Sequence, residues 1–412
     1  MNVYLIVILF ILLAKYILDF VVEVMNNQHL QPSLPAEFSG VFDEEKYHRS
    51  QQYTEEKSKF GLIQTTFYTA GLIFFILIGG FNFIDQMVRT FGFSPILTGL
   101  VYMLVLVVFS GFLDLPFRIY STFVIEEKYG FNKTKAKTFI LDLIKGFLLL
   151  IVLGGPLLAL VLWFFQKTGK LAPLYIWVVV SLFQLFLTFI APIVIMPLFN
   201  KFVPLEQGEL RKAIETYARK HEFHLKGVYT MDGSKRSSKA NAFFSGFGRS
   251  RRIVLFDTLI KKHSQDELVC VLAHEMGHYQ LGHVLKMMVV SILETGLLLF
   301  LLSFFIENEG LFAAFKMEEL SIYASLIFFG FLYSPVSNLL SVWTNVVSRR
   351  YEFQADQFAL QTTNQGEDFI SVLKKLSADN LSNLTPHPLK VFLYYSHPPV
   401  LKRIEAIREQ TK

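Results

Sequence analysis

The stretch DELVCVLAHEMGHYQLGH, residues 266–283, contains His274-Glu275-Met276-Gly277-His278, an H-E-x-x-H pattern. On an α-helix, residues four apart stand one above the other. His274 and His278 therefore offer two imidazole nitrogens to one metal ion. Glu275 is turned by about 100° from His274, where it can serve as base for an attacking water without binding the metal. The pattern is short, so its weight rests on its surroundings. Ser264 is placed as an N-cap, with Glu267 three residues on as in a capping box. Leu268, Val271, Leu272 and Met276 supply apolar packing. Gly277 costs about 1 kcal/mol in a helix interior, and the sequence gives it a reason: no side chain crowds the metal. Cys270 shares the ligand face, but a thiolate there would close the position a water needs, so it reads as a packed thiol. His283, nine residues past His274, falls roughly 180° round a continued helix and is left out of the ligand set.

The rest of the chain is unlike a soluble protein. Of its 412 residues, 52% are hydrophobic, 18% are charged and 43 are Phe, and the mean hydropathy is +0.42. A soluble globular protein carries roughly 25% charged residues. Seven apolar runs are long enough to cross a bilayer as helices: residues 3–22, 61–84, 94–113, 139–165, 172–196, 284–306 and 320–347. No basic segment precedes the first run and no small-x-small site follows it, which argues against a cleaved signal peptide. Pro156, Pro192, Pro197 and Pro335 are expected to kink or end their helices. The single cysteine excludes an intrachain disulfide and any Cys-based zinc knuckle. The net charge of +5 lies in loops between spans, so it reads as topology and not as nucleic-acid binding. Lys and Arg concentrate in residues 25–60, in the loop after span three and in the stretch after span five. The positive-inside rule then places the N-terminus outside and the C-terminus in the cytosol. Asp19, Asp142, Lys145 and Glu294 lie within or at the edges of spans, as residues facing a wet interior do.

Four segments follow: residues 1–200 with five spans, 201–283 as a soluble segment holding the H-E-x-x-H helix, 284–347 with two spans, and 348–412 as a second cytosolic segment. In the first soluble segment, residues 206–221 read as an amphipathic helix, and 226–231 and 252–256 as strands. Between them SSKANAFFSGFG, residues 237–248, carries Gly246 and Gly248 and reads as an exposed edge strand, able to hold an extended peptide by main-chain hydrogen bonds. After span seven comes SRRYEFQADQFAL, residues 348–360. Glu352 and Asp356, four apart, share a helix face. A carboxylate from that face would complete a two-His, one-carboxylate site with a fourth position open, the catalytic and not the structural pattern. Spacing alone leaves open which of the two is the ligand. The other would hydrogen-bond a ligand histidine from behind. Finally, in YYSHPPVLKRIEAI, residues 394–407, Pro398 and Pro399 keep His397 out of a helix, where it could donate to an oxyanion.

HEMGH, SRRYEFQAD and SHPP, in this order within a seven-span chain, resemble the Ste24-type CAAX prenyl protease family, integral-membrane zinc metalloproteases of the M48 peptidases. IEEKYGFNKTKAKTF (125–139) and PIVIMPLFNKFVPL (192–205) are similar to further family signatures. The resemblance implies an all-α membrane protein with a small α+β soluble part. Its seven helices would enclose a water-filled chamber, with a gluzincin-like site on the cytosolic side. It implies that His274, His278 and Glu352 bind one Zn2+, that Glu275 is the catalytic base, and that Asp356 supports a ligand. His397 would steady the oxyanion, Arg403 would organise the site or the substrate, and Asn241 and Ala242 would lie on the substrate-binding edge strand. Asp19, Asp142 and Glu294 would be chamber residues. The implied partners are the lipid bilayer and a peptide or protein substrate with a C-terminal prenylated Cys and three further residues, cut after the Cys; no nucleic acid is implied. The membrane would be the endoplasmic reticulum in a eukaryote or the inner membrane in a bacterium. The chain is shorter than typical eukaryotic members and IREQTK lacks a dilysine signal, so a bacterial quality-control protease with unprenylated substrates is the alternative. A transporter or receptor would show no zinc and no peptidase activity. A structural zinc protein would need four closed ligands.

Overall fold

The computed structural model describes residues 2–223, 225–245 and 252–411. Its helices in chain order are α1 (Val3–Gln28), α2 (Glu44–Leu77), α3 (Gly80–Arg89), α4 (Pro95–Tyr120), α5 (Ala136–Leu149), α6 (Gly155–Lys167), α7 (Ala172–Ile190), α8 (Met196–Phe199), α9 (Glu209–Lys220), α10 (Asp257–Ile260), α11 (Gln265–Gln280), α12 (His283–Leu302), α13 (Glu309–Ala314), α14 (Ile322–Thr363), α15 (Gly366–Asp379), α16 (Pro388–Tyr394) and α17 (Val400–Thr411). The strands are β1 (Phe202–Pro204), β2 (Gly227–Met231), β3 (Ala242–Ser245) and β4 (Arg252–Phe256). Seven helical stretches are long and apolar enough to span a membrane, at the seven places the sequence predicts.

The spans form a closed ring. α1 touches α2, α2 touches the turn that extends α4, and the contacts continue α4–α6, α6–α7, α7–α12, α12–α14 and back from α14 to α1. Only 0 to 22% of residues in the spanning windows are buried. A solid bundle would bury a continuous stripe on each helix; here both the outer and the inner face stay accessible. One end of the ring is plugged by an aromatic core, in which Phe81 of α3, Tyr102 of α4, Phe312 of α13, Phe315 just after it and Phe328 of α14 pack together. The other end carries the soluble part.

Several expected bounds shift for identifiable reasons. The second span ends at Leu77, because the chain turns at Gly79 (φ 79°). Ile84 instead sits in α3, buried beside Phe81 and Val88. Pro156 and Pro197 do not end their spans. A proline ring clashes with the carbonyl four residues earlier, here Val152 and Ile193. Both lie in π-helical turns, Leu150–Gly154 and Ala191–Ile195, which widen the helix and let it continue. α14 also runs unbroken through Pro335 and across position 347, to Thr363. Its 42 residues make a rod of about 63 Å at about 1.5 Å per residue, twice a hydrocarbon core of about 30 Å. The segment with Glu352 and Asp356 is therefore the continuation of the seventh span, held rigidly beyond the bilayer.

The sheet has the order β1-β2-β4-β3. β2 and β4 are parallel, and β3 runs antiparallel to β4 with Ala242 opposite Leu255. β1, which the sequence reading missed, pairs antiparallel with β2 through Phe202–Met231. β3 thus has a free edge among the described residues. Gly246 and Gly248 of the expected edge strand lie outside the described residues.

Three cavities with shared lining residues lie between the ring and the soluble part. One of about 600 Å³ lies between α2, α4 and α5 and includes Gln64, Asp114, Arg118 and Asp142. One of about 680 Å³ includes Asp19, Tyr53, Lys239 and Asn380, and it shares Lys57 and Gly61 with the first. Asn380 also lines a third, of about 300 Å³, described below. Asp19 and Asp142 therefore do face the interior, and Asp142 is held there by Arg236 at 2.7 and 2.9 Å. Glu294 lines none of the three; its Oε1 is buried without a hydrogen-bond partner among the described residues. Lys145 of α5 donates to the Leu198 carbonyl of α8, at the end of the neighbouring span, at 2.8 Å, as a lysine reaching for a polar partner does.

Candidate active site

The capping box of α11 forms: Glu267 N–H donates to Ser264 Oγ at 3.3 Å, and Ser264 N–H donates to Glu267 Oε2 at 2.9 Å. Glu267 also accepts from Ser371 (2.6 Å) and Lys375 (2.5 Å) of α15. Burial pushes the Glu267 carboxyl up, but its partners outweigh burial and hold it below the ordinary value. One residue thus both starts the H-E-x-x-H helix and moors it to its neighbour.

On α11 the Nε2 atoms of His274 and His278 lie 3.2 Å apart. α14 crosses the same face and brings in Glu352, 97% buried. Its Oε1 is 3.2 Å from His278 Nε2 and its Oε2 is 3.6 Å from His274 Nε2. One ligand atom from each of the three residues falls within a 4.8 Å spread. Glu352 Oε2 is buried with no hydrogen-bond partner among the described residues. Three groups able to donate electron pairs converge here on one point, the arrangement a cation can hold together.

Gly277 has a different purpose from the one its sequence position suggests. A Cβ there would meet not the metal site but α14: Ala355 Cα at 3.1 Å, Ala355 O at 3.2 Å and Phe358 Cδ1 at 3.1 Å. The glycine lets α14 approach closely enough for Glu352 to reach the histidines. Gly277→Ala gains about 1 kcal/mol of helix propensity but overpacks a rigid backbone contact, a cost of about 1–3 kcal/mol. The expected result is a lower thermal midpoint and weaker metal retention by the purified full chain. An unchanged or raised midpoint would show that the helices have room to spare.

Behind the donors sits a charged support. His274 Nδ1 is 2.8 Å from Asp356 Oδ1. Burial lowers the imidazole's affinity for a proton, but the Asp356 hydrogen bond and charge overcome it, so the pKa is raised. Arg403 of α17 grips Asp356 with Nε at 2.8 Å and Nη2 at 2.5 Å, and its Nη1 lies 3.7 Å from Glu352 Oε2. Its guanidinium is occupied by these two carboxylates, which ties α17 to α14 behind the three converging groups. Local sequence showed Arg403 as one cation in the helix after the Pro-Pro turn, and the family resemblance alone singled it out.

Glu275 lines the third cavity together with Asn241, Ala242, His397, Arg403 and the three donor residues. No hydrogen bond holds its carboxylate among the described residues. Burial raises its pKa, with His274 and His278 pulling the other way. His397 is 66% exposed, its Nε2 3.4 Å from Glu352 Oε1 and its Nδ1 3.0 Å from Ser396 Oγ. The Asn241 carbonyl accepts from Phe256 N–H at 3.1 Å, so Asn241 and Ala242 form the start of β3 beside the donors. Cys270, by contrast, faces away. Its Sγ lies 3.7 Å from the Gln365 carbonyl, and burial pushes its pKa up to about 12, so it stays a thiol.

His283 departs most from the sequence reading. α11 does not continue to it. The helix ends at Gln280, and Gly282 takes a left-handed conformation (φ 68°) that starts α12. The turn brings His283 back beneath His278, with the two Nδ1 atoms 3.1 Å apart. The 180° placement assumed one unbroken helix; the glycine before His283 was the signal against it.

Comparison with known proteins agrees with this architecture. Residues 23–201 match the family described as CAAX prenyl protease N-terminal, five membrane helices, and residues 204–411 match Peptidase family M48. The chain is 38% identical to the CAAX prenyl protease 1 homolog of Oryza sativa subsp. japonica, over 98% of this chain and 97% of that protein. It is 34% identical to CAAX prenyl protease 1 of Saccharomyces cerevisiae, over 92% of this chain and 89% of the other. The crystal structure of S. mikatae Ste24p superposes with a TM-score of 0.94 at 34% identity, covering 98% of this chain and 99% of that one. A ring of seven spans, a soluble part with an H-E-x-x-H helix and these relatives lead to one conclusion: the chain belongs to peptidase family M48, as a Ste24-type CAAX prenyl protease, an integral-membrane metalloprotease.

Proposed function

We propose that the metal is zinc, held by His274, His278 and Glu352, and that the enzyme removes the C-terminal tripeptide from prenylated CAAX substrates. The convergence of the three donors carries this reading. Zn–N bonds of about 2.0–2.1 Å at tetrahedral angles place donor atoms about 3.3 Å apart. Here the two imidazole nitrogens are 3.2 Å apart, Glu352 presents Oε1 to His278 at 3.2 Å and Oε2 to His274 at 3.6 Å, and one ligand atom from each residue falls within 4.8 Å of the others. Three protein ligands leave a position open, as a catalytic site requires. Bound there, zinc supplies Lewis acidity to the attacking water and the scissile carbonyl.

The chain's own residues do the rest. Glu275, free on the cavity wall and raised in pKa by burial, takes a proton from the attacking water and passes it to the leaving amine. His397 presents an exposed imidazole on the rigid Pro398-Pro399 turn, placed to donate to the developing oxyanion. Asp356 and Arg403 hold His274 in orientation. The free edge of β3 aligns an extended peptide by main-chain hydrogen bonds, with Asn241 and Ala242 nearest the reacting bond. The charge bias of the loops supports a cytosolic position for this site.

Substrate class is supported by the relatives, which are CAAX prenyl proteases by name. The test is cleavage mapping by mass spectrometry on a farnesylated peptide and its unprenylated twin. Release of the tripeptide from the prenylated peptide alone is the expected result. Equal cleavage of both, or cleavage at scattered bonds, would identify a general membrane-protein protease instead.

A further inference from the structure

The two histidines of the metal site are backed differently. His274 has the Asp356 carboxylate behind its Nδ1, and Arg403 behind that. Among the described residues, His278 has no carboxylate on its Nδ1. It has the ring of His283 at 3.1 Å. His283 is 98% buried and stacks face to face on Tyr351 of α14, with centroids 4.1 Å apart and planes 6° apart. Its other nitrogen, Nε2, lies 3.0 Å from Gln354 Oε1 on the same helix.

Proton bookkeeping fixes the direction of these bonds. A neutral imidazole that offers Nε2 to a metal carries its proton on Nδ1. His278 Nδ1–H must therefore donate, and His283 Nδ1 must accept. The proton of neutral His283 then sits on Nε2, where it needs an acceptor. Gln354 presents its carbonyl oxygen there. Every atom in the relay has one consistent role.

We propose that His283 is a positioning residue for the metal site, a neutral acceptor that fixes the tautomer and ring orientation of His278. The inference rests on the reading of His278 as a ligand. Groups behind a ligand imidazole commonly change metal affinity by about 10–100-fold when removed. Stacking on Tyr351 holds the His283 ring, and the Gly282 turn delivers it. α14 thus carries three parts of the site within four positions: Tyr351 as platform, Glu352 as donor and Gln354 as terminal acceptor.

Two substitutions separate hydrogen bonding from packing. His283→Phe keeps a ring on Tyr351 but has no acceptor. His283→Asn loses the stack but can place its amide oxygen near the Nδ1 position. Zinc affinity is measured by chelator competition on the purified full chain in detergent, with the thermal midpoint of the metal-free form as a check on folding. His283→Phe is expected to bind zinc about 10–100-fold more weakly, with activity restored by excess zinc, and His283→Asn to stay close to wild type. If His283→Phe does not fold, His283→Met fills the slot without a comparable acceptor and takes its place, with the same weakening expected. Wild-type affinity in the acceptor-free variant, or equal weakening in it and in His283→Asn, overturns the proposal. A different result would overturn the underlying reading instead: no zinc on the wild-type chain, or full zinc retention in His278→Ala.

Discussion

Glu275→Gln should leave zinc bound and lower kcat by about 10²–10⁴-fold, the usual scale for losing a general base. The two effects separate because the carboxylate is on the cavity wall and outside the donor set: it lines the cavity with His274, His278 and Glu352, yet the converging atoms belong to the other three. Gln fills nearly the same volume and keeps a polar group at the site. It cannot accept the proton of the attacking water. Substrate affinity should change little, since the edge strand and the turn at His397 are untouched, so the loss should appear in kcat and not in KM. Turnover within a few-fold of wild type would remove Glu275 from the mechanism. A parallel loss of zinc would reassign it as a ligand.

Glu352→Ala should have the opposite signature: no stoichiometric zinc, and no activity as a consequence. Glu352 is the only donor that α14 contributes to the three-residue set. Without it the two imidazole nitrogens, 3.2 Å apart, have a single neighbouring helix to work from. The loss should exceed the about 10–100-fold cost of removing a group behind a ligand. Excess zinc should therefore restore little activity here, in contrast to the His283 variants. Retained zinc at one per chain would make Asp356 the ligand, the alternative that the four-residue spacing leaves open. In the structure Asp356 is already engaged by Arg403 and by the far side of His274. Chelator competition on both variants reads the two predictions together.

Much of this was legible in the sequence, for local reasons. The seven spans follow from run length against bilayer thickness. The histidine pair follows from helical spacing, and the N-cap from a three-residue pattern. What could not be read depends on tertiary approach. Nothing in SRRYEFQAD shows that span seven continues as one rigid rod, and that continuity decides which carboxylate reaches the histidines. Gly277 looked like space for a metal because the neighbour it accommodates, Ala355, is 78 positions away in the chain. Arg403 was singled out by the family resemblance and by nothing in its local sequence, because its partner Asp356 is 47 positions away in the chain. The rule for proline in a helix left open whether Pro156 and Pro197 kink or end their spans, because it does not foresee the widened π turns that precede them. His283 was missed through the assumption of an unbroken helix, although the preceding glycine was in view.

X-ray absorption at the zinc edge of the purified full chain, with metal content measured on the same sample, probes the donor set itself. One zinc per chain in a shell of nitrogen and oxygen donors at about 2.0–2.2 Å, including the scattering signature of two imidazoles, is the result this structure leads to. Absence of stoichiometric zinc, or a sulphur donor at about 2.3 Å, would contradict it.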